Sequence, residues 1–446
     1  MASDEQRRPP GPRGYPLLGH SYQMFREPLA FGKRCAREYG DIVSLRVAGS
    51  DAVQLSHPDY VQHALEDNFE NYRKGEFYRT ELSLLGEGLL VSEGDLWAQQ
   101  REIIGPMFHP ERIEQYTQSM VDYAERARGD LEGTATVAID EVMQQLTLEI
   151  LADALFNIDI REETAGISAA VNDVMNEARL SSRIPIDLPS WVPTPGNRRY
   201  NRAVETFDSV VFSIIERHRE QTNPPDDVVS KLLAATDDNG DPLTDEQIRD
   251  EVLTLLLAGH DTTALALGYV WYLLCTAPEK QTRLVAEIDS VVGDRSLSLG
   301  DIPKLTYTKQ VIKEALRLYP PVYLFAREAK AADTIGGYEI DAETLLFFNQ
   351  WIVHRDPRFF DTPDEFEPER WTDAFETQLH PYAYYPFSGG PRRCIGERFA
   401  MIEMQIILAT FFQQFRFDLG FEAPLELDPK VSLRPARPVT VRPQPR

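Results

Sequence analysis

Apolar positions change their spacing several times along this chain, and each change predicts an element. The opening Pro9-Pro10-Gly11-Pro12-Arg13-Gly14-Tyr15-Pro16 fixes φ repeatedly and denies helix, so it reads as an extended lead-in. Apolar residues then recur at helical spacing over 27–39 and stop at Gly40. Residues 42–47 and 52–55 alternate about Gly49-Ser50-Asp51, which predicts a hairpin. From about 58 to 292 the helical period dominates, broken at 86–88, 129–133, 185–196 and 223–227. The stretch 184–195 holds four prolines and reads as a loop.

Thr244-x-x-Gln247 is a capping box. It opens a helix from Asp245 to about Thr276, closed by Pro278. Some 32 residues at 1.5 Å each give about 48 Å, long enough to cross a whole molecule. Another helix follows Tyr307 and stops at Pro320-Pro321. Residues 322–350 alternate like short strands, 354–386 show little period, and a last helix runs from near Gly396 to about Phe415, before short strands. The chain contains no internal repeat and no low-complexity linker. The pattern predicts a mainly α (α+β) fold in one domain over 1–446. Its β-rich parts fall at about 42–56 and 322–350, its helical parts at about 58–318 and 396–415.

Composition narrows the function classes. With 42% hydrophobic and 10% aromatic residues the chain is not disordered. Cys35, Cys275 and Cys394 are too few and too scattered for a disulfide scaffold, and no C-x-x-C pair supports a zinc ribbon or a thioredoxin-type site. Lys+Arg 46 against Asp+Glu 71 gives a net charge of −25, which excludes nucleic-acid binding by a broad basic surface. Only nine of the basic residues are lysines. An acidic, lysine-poor surface suits high salt, so the expectation is a protein from a halophile rather than a merely acidic cytosolic one. The start is polar, and the longest apolar run, 265–275, is far short of a membrane span. The expected protein is soluble and cytoplasmic, with no transmembrane anchor.

The candidate chemistry concentrates in two places. The first is Phe387-Ser388-Gly389-Gly390-Pro391-Arg392-Arg393-Cys394-Ile395-Gly396. Glycines permit close backbone approach, a following helix N-terminus favours a thiolate, and the arginines add positive charge. A thiolate on haem iron pushes electron density toward the metal and favours O–O cleavage. The competing reading is a buried structural cysteine in a glycine-rich turn. The second is Ala258-Gly259-His260-Asp261-Thr262-Thr263, inside the long helix. Ala258 and Gly259 leave room for a ligand against the helix wall, and Thr262 can bond a carbonyl one turn back. Asp261 and Thr262 set an acid beside a hydroxyl, as proton delivery through water requires. His260 reads as structural or substrate-side.

The spacing Phe387-x-x-Gly390-x-Arg392-x-Cys394-x-Gly396 resembles the cytochrome P-450 superfamily of haem-thiolate monooxygenases, soluble prokaryotic type. Glu314-Ala315-Leu316-Arg317 and Phe366-Glu367-Pro368-Glu369-Arg370-Trp371 extend the similarity, which covers nearly the whole chain. The resemblance implies the fold of that family, a long helix over haem b (iron protoporphyrin IX) with a small β-rich lobe. It makes Cys394 the iron ligand and gives Asp261 and Thr262 the management of dioxygen protonation. It also makes Glu314, Arg317 and Arg370 a buried structural network. Trp371 stands where the family more often has phenylalanine, another apolar aromatic.

Haem carboxylates need cations. Trp97 and Arg101 lie one turn apart, and the family uses this helix to clamp a propionate. Arg392 is the other strong candidate, Arg327 a third. His109 has no assignment, and His354 reads as structural. No Gly-x-Gly-x-x-Gly accompanies these residues, so electrons are expected from a ferredoxin or another separate donor. Arg355, Arg358, Arg392, Arg393 and Arg398 suggest a docking patch for it. The expected reaction inserts one atom of dioxygen into a hydrophobic substrate such as a fatty acid, isoprenoid or carotenoid. A peroxide-using or rearranging haem-thiolate enzyme and a non-enzymatic haem sensor are the alternatives. Family specificity lies in variable regions, here roughly 69–90 and 175–212. Phe77, Tyr78, Leu82, Leu84 and Leu85 could line a pocket or be ordinary core.

Overall fold

The Pro28–Tyr39 helix of the computed structural model, which describes residues 8–16, 18–75, 82–159, 195–236 and 240–446, ends at Gly40 with φ 95°. The loop expected at 184–195 lies, but for Pro195, outside the described residues. The chain divides into two compact units.

The first unit holds residues up to Phe77, Lys313–Cys394 and Leu427–Arg434. Ile42–Val47 and Ser50–Leu55 form the expected hairpin, paired from Ile42 opposite Leu55 to Val47 opposite Ser50. Its two-residue turn needs positive φ at both positions, and Ala48 (51°) and Gly49 (87°) supply it. The hairpin joins a five-stranded sheet in the order 42–47, 50–55, 345–349, 324–329, 72–73. Residues 50–55 and 345–349 run parallel, which brings two stretches nearly 300 residues apart side by side. Leu345–Asn349 is buried along its whole length, as a strand with partners on both edges should be. Phe325 stacks on its cross-strand partner Phe348 at 5.0 Å.

The second unit holds 78–312, 395–426 and 435–446. Its axis is the Asp245–Thr276 helix, with both halves of the Thr244/Gln247 capping box formed. It packs along Ile139–Phe156, and both helices are buried on most faces. That explains their long apolar runs and weak amphipathicity. Trp271 sits in an aromatic cage of Phe411, Phe412 and Phe417, with ring centroids 5.3–5.7 Å away. The cage ties the long helix to Glu397–Gln414 and to the strand Phe415–Leu419. Two short strands, Tyr72–Arg73 and Val137–Ala138, interrupt the stretch that reads as helical. Their pairing partners, Leu324–Ala329 and Thr440–Pro445, lie hundreds of residues away, so local periodicity carries no trace of them.

Candidate active site

Glu314 lies at the centre of a buried polar cluster in the first unit. Its carboxylate accepts from Arg317 Nη2 at 2.8 Å and Nε at 2.9 Å, from Arg370 Nε at 2.9 Å, and from the Glu367 amide at 3.1 Å. Glu314 and Arg317 are 0% exposed. The remaining Arg317 donors reach the carbonyls of His354, Pro363 and Glu365. The three residues paired by motif thus meet in one place, and removing one partner of such a buried pair costs about 3–5 kcal/mol. The last residue of the second motif joins them. The Trp371 indole N–H donates to Glu314 Oε2 at 2.9 Å. A phenylalanine cannot make that bond, so the two aromatics are not equivalent here.

The glycine-rich loop is folded by its own backbone. The Cys394 N–H donates to the Phe387 carbonyl at 2.9 Å, and the Arg393 N–H to Gly390 at 3.0 Å. Gly390 has φ 63°, and a Cβ there would lie 1.8 Å from the Leu65 carbonyl oxygen; at Gly389 it would lie 2.3 Å from the Tyr382 ring. These two glycines therefore bring the loop against the protein itself, not only toward a ligand. Phe387 and Arg392 are partly exposed, and Gly396 is the N-cap of Glu397–Gln414. Cys394 is exposed. The other two cysteines differ: burial pushes the Cys35 thiol up to about 11 and the Cys275 thiol up to about 12, which keeps both protonated and inert.

In the second unit the long helix carries Ala258, Asp261 and Thr262. Ala258 is exposed although the residues before it from Glu251 to Leu257 are buried, and Thr262, one turn on, is partly exposed. These two residues mark an accessible stripe on an otherwise covered helix. The Thr262 hydroxyl donates to the Ala258 carbonyl at 2.9 Å, and Asp261 beside it is buried. Gly259 departs from its expected role of making ligand room. A Cβ there would lie 2.9 Å from Leu151, so this glycine admits the Ile139–Phe156 helix. His260 is buried, with Nδ1 2.9 Å from the Leu256 carbonyl, and its own carbonyl accepts from the Thr147 hydroxyl at 3.1 Å. That is a structural position.

Trp97 and Arg101 share the Gly94–Ile104 helix, with the guanidinium 6.0 Å from the indole ring centre, and both are partly exposed. Arg327 is buried in its strand and donates to the Ala326 carbonyl. His354 is buried, and its Nε2 accepts from the Tyr385 amide at 3.0 Å. Burial first, then the nearby Arg317 and Arg355 charges, hold its pKa well below the ordinary range, so it stays neutral.

The five arginines of the expected docking patch differ in their surroundings. Arg355 is an interior residue: its guanidinium stacks 3.4 Å from the Trp351 ring centre, and burial brings its pKa down to about 10. Arg358 is neutralised by Asp41 and Asp356. Arg393 and Arg398 are exposed. Of the possible pocket residues, Leu85 is buried and Leu82 and Leu84 are partly buried, whereas Phe77, Tyr78 and residues 175–194 lie outside the described residues.

Taken separately, the first unit carries an exposed thiol on a backbone-braced loop with a cationic Arg392, and the second an accessible stripe ending at a hydroxyl and a cationic Arg101, the kinds of group that a sulfur-ligated iron porphyrin requires. Among the described residues no cluster of three or more His, Cys, Asp or Glu could hold a bare metal ion, and no helix is long and apolar enough to cross a membrane.

Comparison with known proteins agrees. The Cytochrome P450 family model matches residues 9–442. The cyclooctat-9-en-7-ol 5-monooxygenase of Streptomyces melanosporofaciens is 34% identical over 91% of this chain and 88% of its own length. The pentalenene oxygenase of Streptomyces avermitilis is 30% identical over 96% and 94%. A solved cyanobacterial structure with retinoic acid bound superposes with a TM-score of 0.88 at 26% identity, covering 99% of this chain and 100% of that one.

Proposed function

This chain belongs to the cytochrome P450 family and is a monooxygenase with haem b as its cofactor, and on that premise we propose roles for its own residues. Cys394 supplies the thiolate that ligates the iron and donates charge to it. Trp97, Arg101 and Arg392 bind the two propionate carboxylates through N–H donors and positive charge. When bound, haem b supplies the iron at which dioxygen is held and reduced. Asp261 passes protons inward through its carboxylate. The Thr262 hydroxyl, fixed by the Ala258 carbonyl, orients the water that carries them. Glu314, Arg317 and Arg370 brace the segment that precedes the cysteine loop. Ala258 and Gly259 keep the helix slim, the first toward the ligand side and the second toward Leu151.

The reaction consumes dioxygen, two electrons and two protons. One oxygen atom enters a C–H or C=C bond and the other leaves as water. The substrate is a hydrophobic, terpenoid-like compound, with fatty acids and carotenoids as the neighbouring classes. The names of the two Streptomyces relatives support the first. Electrons come from a ferredoxin or another separate donor, the arrangement usual in this family. The acidic, lysine-poor composition supports adaptation to high salt.

The exposure of Cys394, against the burial of Cys35 and the protonated Cys275, carries this reading. The test is the reduced, carbon-monoxide-bound difference spectrum. A strongly red-shifted Soret band should appear in the wild type and in Cys35→Ser and Cys275→Ser, and vanish in Cys394→Ser. Its survival in Cys394→Ser would remove the thiolate assignment. Turnover with peroxide alone, and none with dioxygen plus electrons, would overturn the dioxygen roles of Asp261 and Thr262.

A further inference from the structure

Three consecutive residues near the start of the long helix grip the backbone of a loop. Arg249 Nη1 donates to the Leu84 carbonyl at 2.8 Å. Asp250 Oδ2 accepts from the Glu87 amide at 2.9 Å. Glu251 Oε2 accepts from the Leu89 amide at 3.1 Å. The loop lies close enough to need its glycines. A Cβ at Gly86, where φ is 51°, would lie 2.0 Å from the Asp250 carboxylate, and one at Gly88 would lie 2.1 Å from the Thr254 hydroxyl. Arg249 also holds a second element. Its Nε donates to Asp208 of the Pro195–Glu220 helix at 2.7 Å, and its Nη1 to Asp250 at 2.8 Å. Its side chain is 14% exposed, so these bonds are largely shielded from water.

Leu84 falls in the first variable region, 69–90, and Asp208 in the second, 175–212. We infer that Arg249 is a positioning residue for substrate selection: one guanidinium latches both variable segments to the long helix and so sets how large a molecule the enzyme admits. This latch role rests on the reading that both segments border the substrate. Arg249 touches no reacting atom. It acts by fixing where the Leu84–Leu89 backbone and the Asp208 turn of the neighbouring helix stand. A lysine cannot replace it, because a single ammonium lacks the planar fork that serves a carbonyl and a carboxylate together.

The experiment uses the haem-loaded full chain with Arg249→Gln, Arg249→Lys and Asp208→Asn. The carbon-monoxide spectrum first confirms that each variant folds around its haem. Where Arg249→Gln does not fold, the two milder variants carry the same test. Hydrogen exchange over 84–92 should accelerate about tenfold in the arginine variants. Spectral titration then compares a small iron ligand, imidazole, with a bulky one, clotrimazole. Imidazole affinity should stay within about twofold, while clotrimazole affinity should change at least about fivefold, and Asp208→Asn should add little on top of Arg249→Gln. Unchanged exchange over 84–92 would overturn the latch. Faster exchange with clotrimazole affinity unchanged would overturn its part in selection, and with it the reading that these segments border the substrate. A parallel loss for both ligands would reduce Arg249 to general support of the fold.

Discussion

Trp371 shows how much one atom can add to a buried charge. Glu314 is fully buried and ionic, and each of its acceptor sites needs a donor. Two arginines and a backbone amide supply most of them; the indole supplies another. Trp371→Phe keeps an aromatic ring in the cluster with Phe360 and Ala383 and deletes only the donor and part of the volume. A hydrogen bond to a charged, buried group contributes about 1.5–3 kcal/mol, so Trp371→Phe should destabilise by about that much. Glu314→Gln, which strips the charge facing two guanidinia, should cost about 3–5 kcal/mol. Urea unfolding of the two variants measures both. A Trp371→Phe variant as stable as wild type would mean that the arginines alone satisfy the carboxylate. The motif fixes which residues surround Glu314, because Glu-x-x-Arg and Pro-Glu-Arg are local strings. It does not show the fourth donor, because hydrophobicity ranks tryptophan and phenylalanine together and is silent on the N–H.

At the scale of elements, what was legible was whatever chain-local chemistry decides. The Thr244/Gln247 box and Pro278 delimit the long helix, and Gly40 and Gly49 end a helix and turn a hairpin. What each helix packs against was not legible. Gly259 reads as ligand room but serves Leu151, and Arg355 reads as surface charge but lies inside, stacked on Trp351. Periodicity reports that a position is covered, not by what. Glu251 is the same problem in a polar residue. It sits among buried Ile248, Val252, Leu253 and Leu255, and burial pushes its carboxyl up to about 8. A carboxyl that binds its proton more tightly folded than unfolded favours the fold at low pH. That advantage is lost as pH rises from the unfolded value of 4.5 through about 8, and above it the folded state carries a penalty of up to about 5 kcal/mol. Glu251→Gln still offers the Leu89 amide an oxygen and has nothing to ionise. It should lie within about 1 kcal/mol of wild type at pH 5 and exceed it by about 3–5 kcal/mol at pH 9. His218, raised because its bonds to Asp227 and the Ile214 carbonyl outweigh burial, also loses its stabilisation as pH rises. It is present in both proteins and cancels in the difference. Parallel stability curves from pH 5 to 9 would show that Glu251 is ionised at no such cost.

Over the whole molecule the dominant quantity is the net charge of −25, and the local pairings sharpen it. Arg358, Arg249 and Arg370 each face two carboxylates, so part of a small basic complement is already committed to internal bonds. The remaining acids repel one another across the surface, a free energy that opposes the compact state and grows as screening weakens. The screening length is about 10 Å at 0.1 M salt and about 3 Å at 1 M, so most of this repulsion is removed well below 1 M. Hydrophobic stabilisation by salt behaves differently, strengthening steadily with kosmotropic salts. The melting temperature of the haem-loaded protein should therefore rise steeply between about 0.05 and 0.5 M potassium chloride and flatten above, a shape that belongs to screening. Sulfate at matched ionic strength should reproduce the steep part and add a further slope. A melting temperature independent of potassium chloride would mean that the surface acids are too well spaced to repel, and that the composition has no bearing on the salt the protein works in. A rise that is linear throughout, without a plateau, would assign the salt effect to the apolar core instead of to the charge.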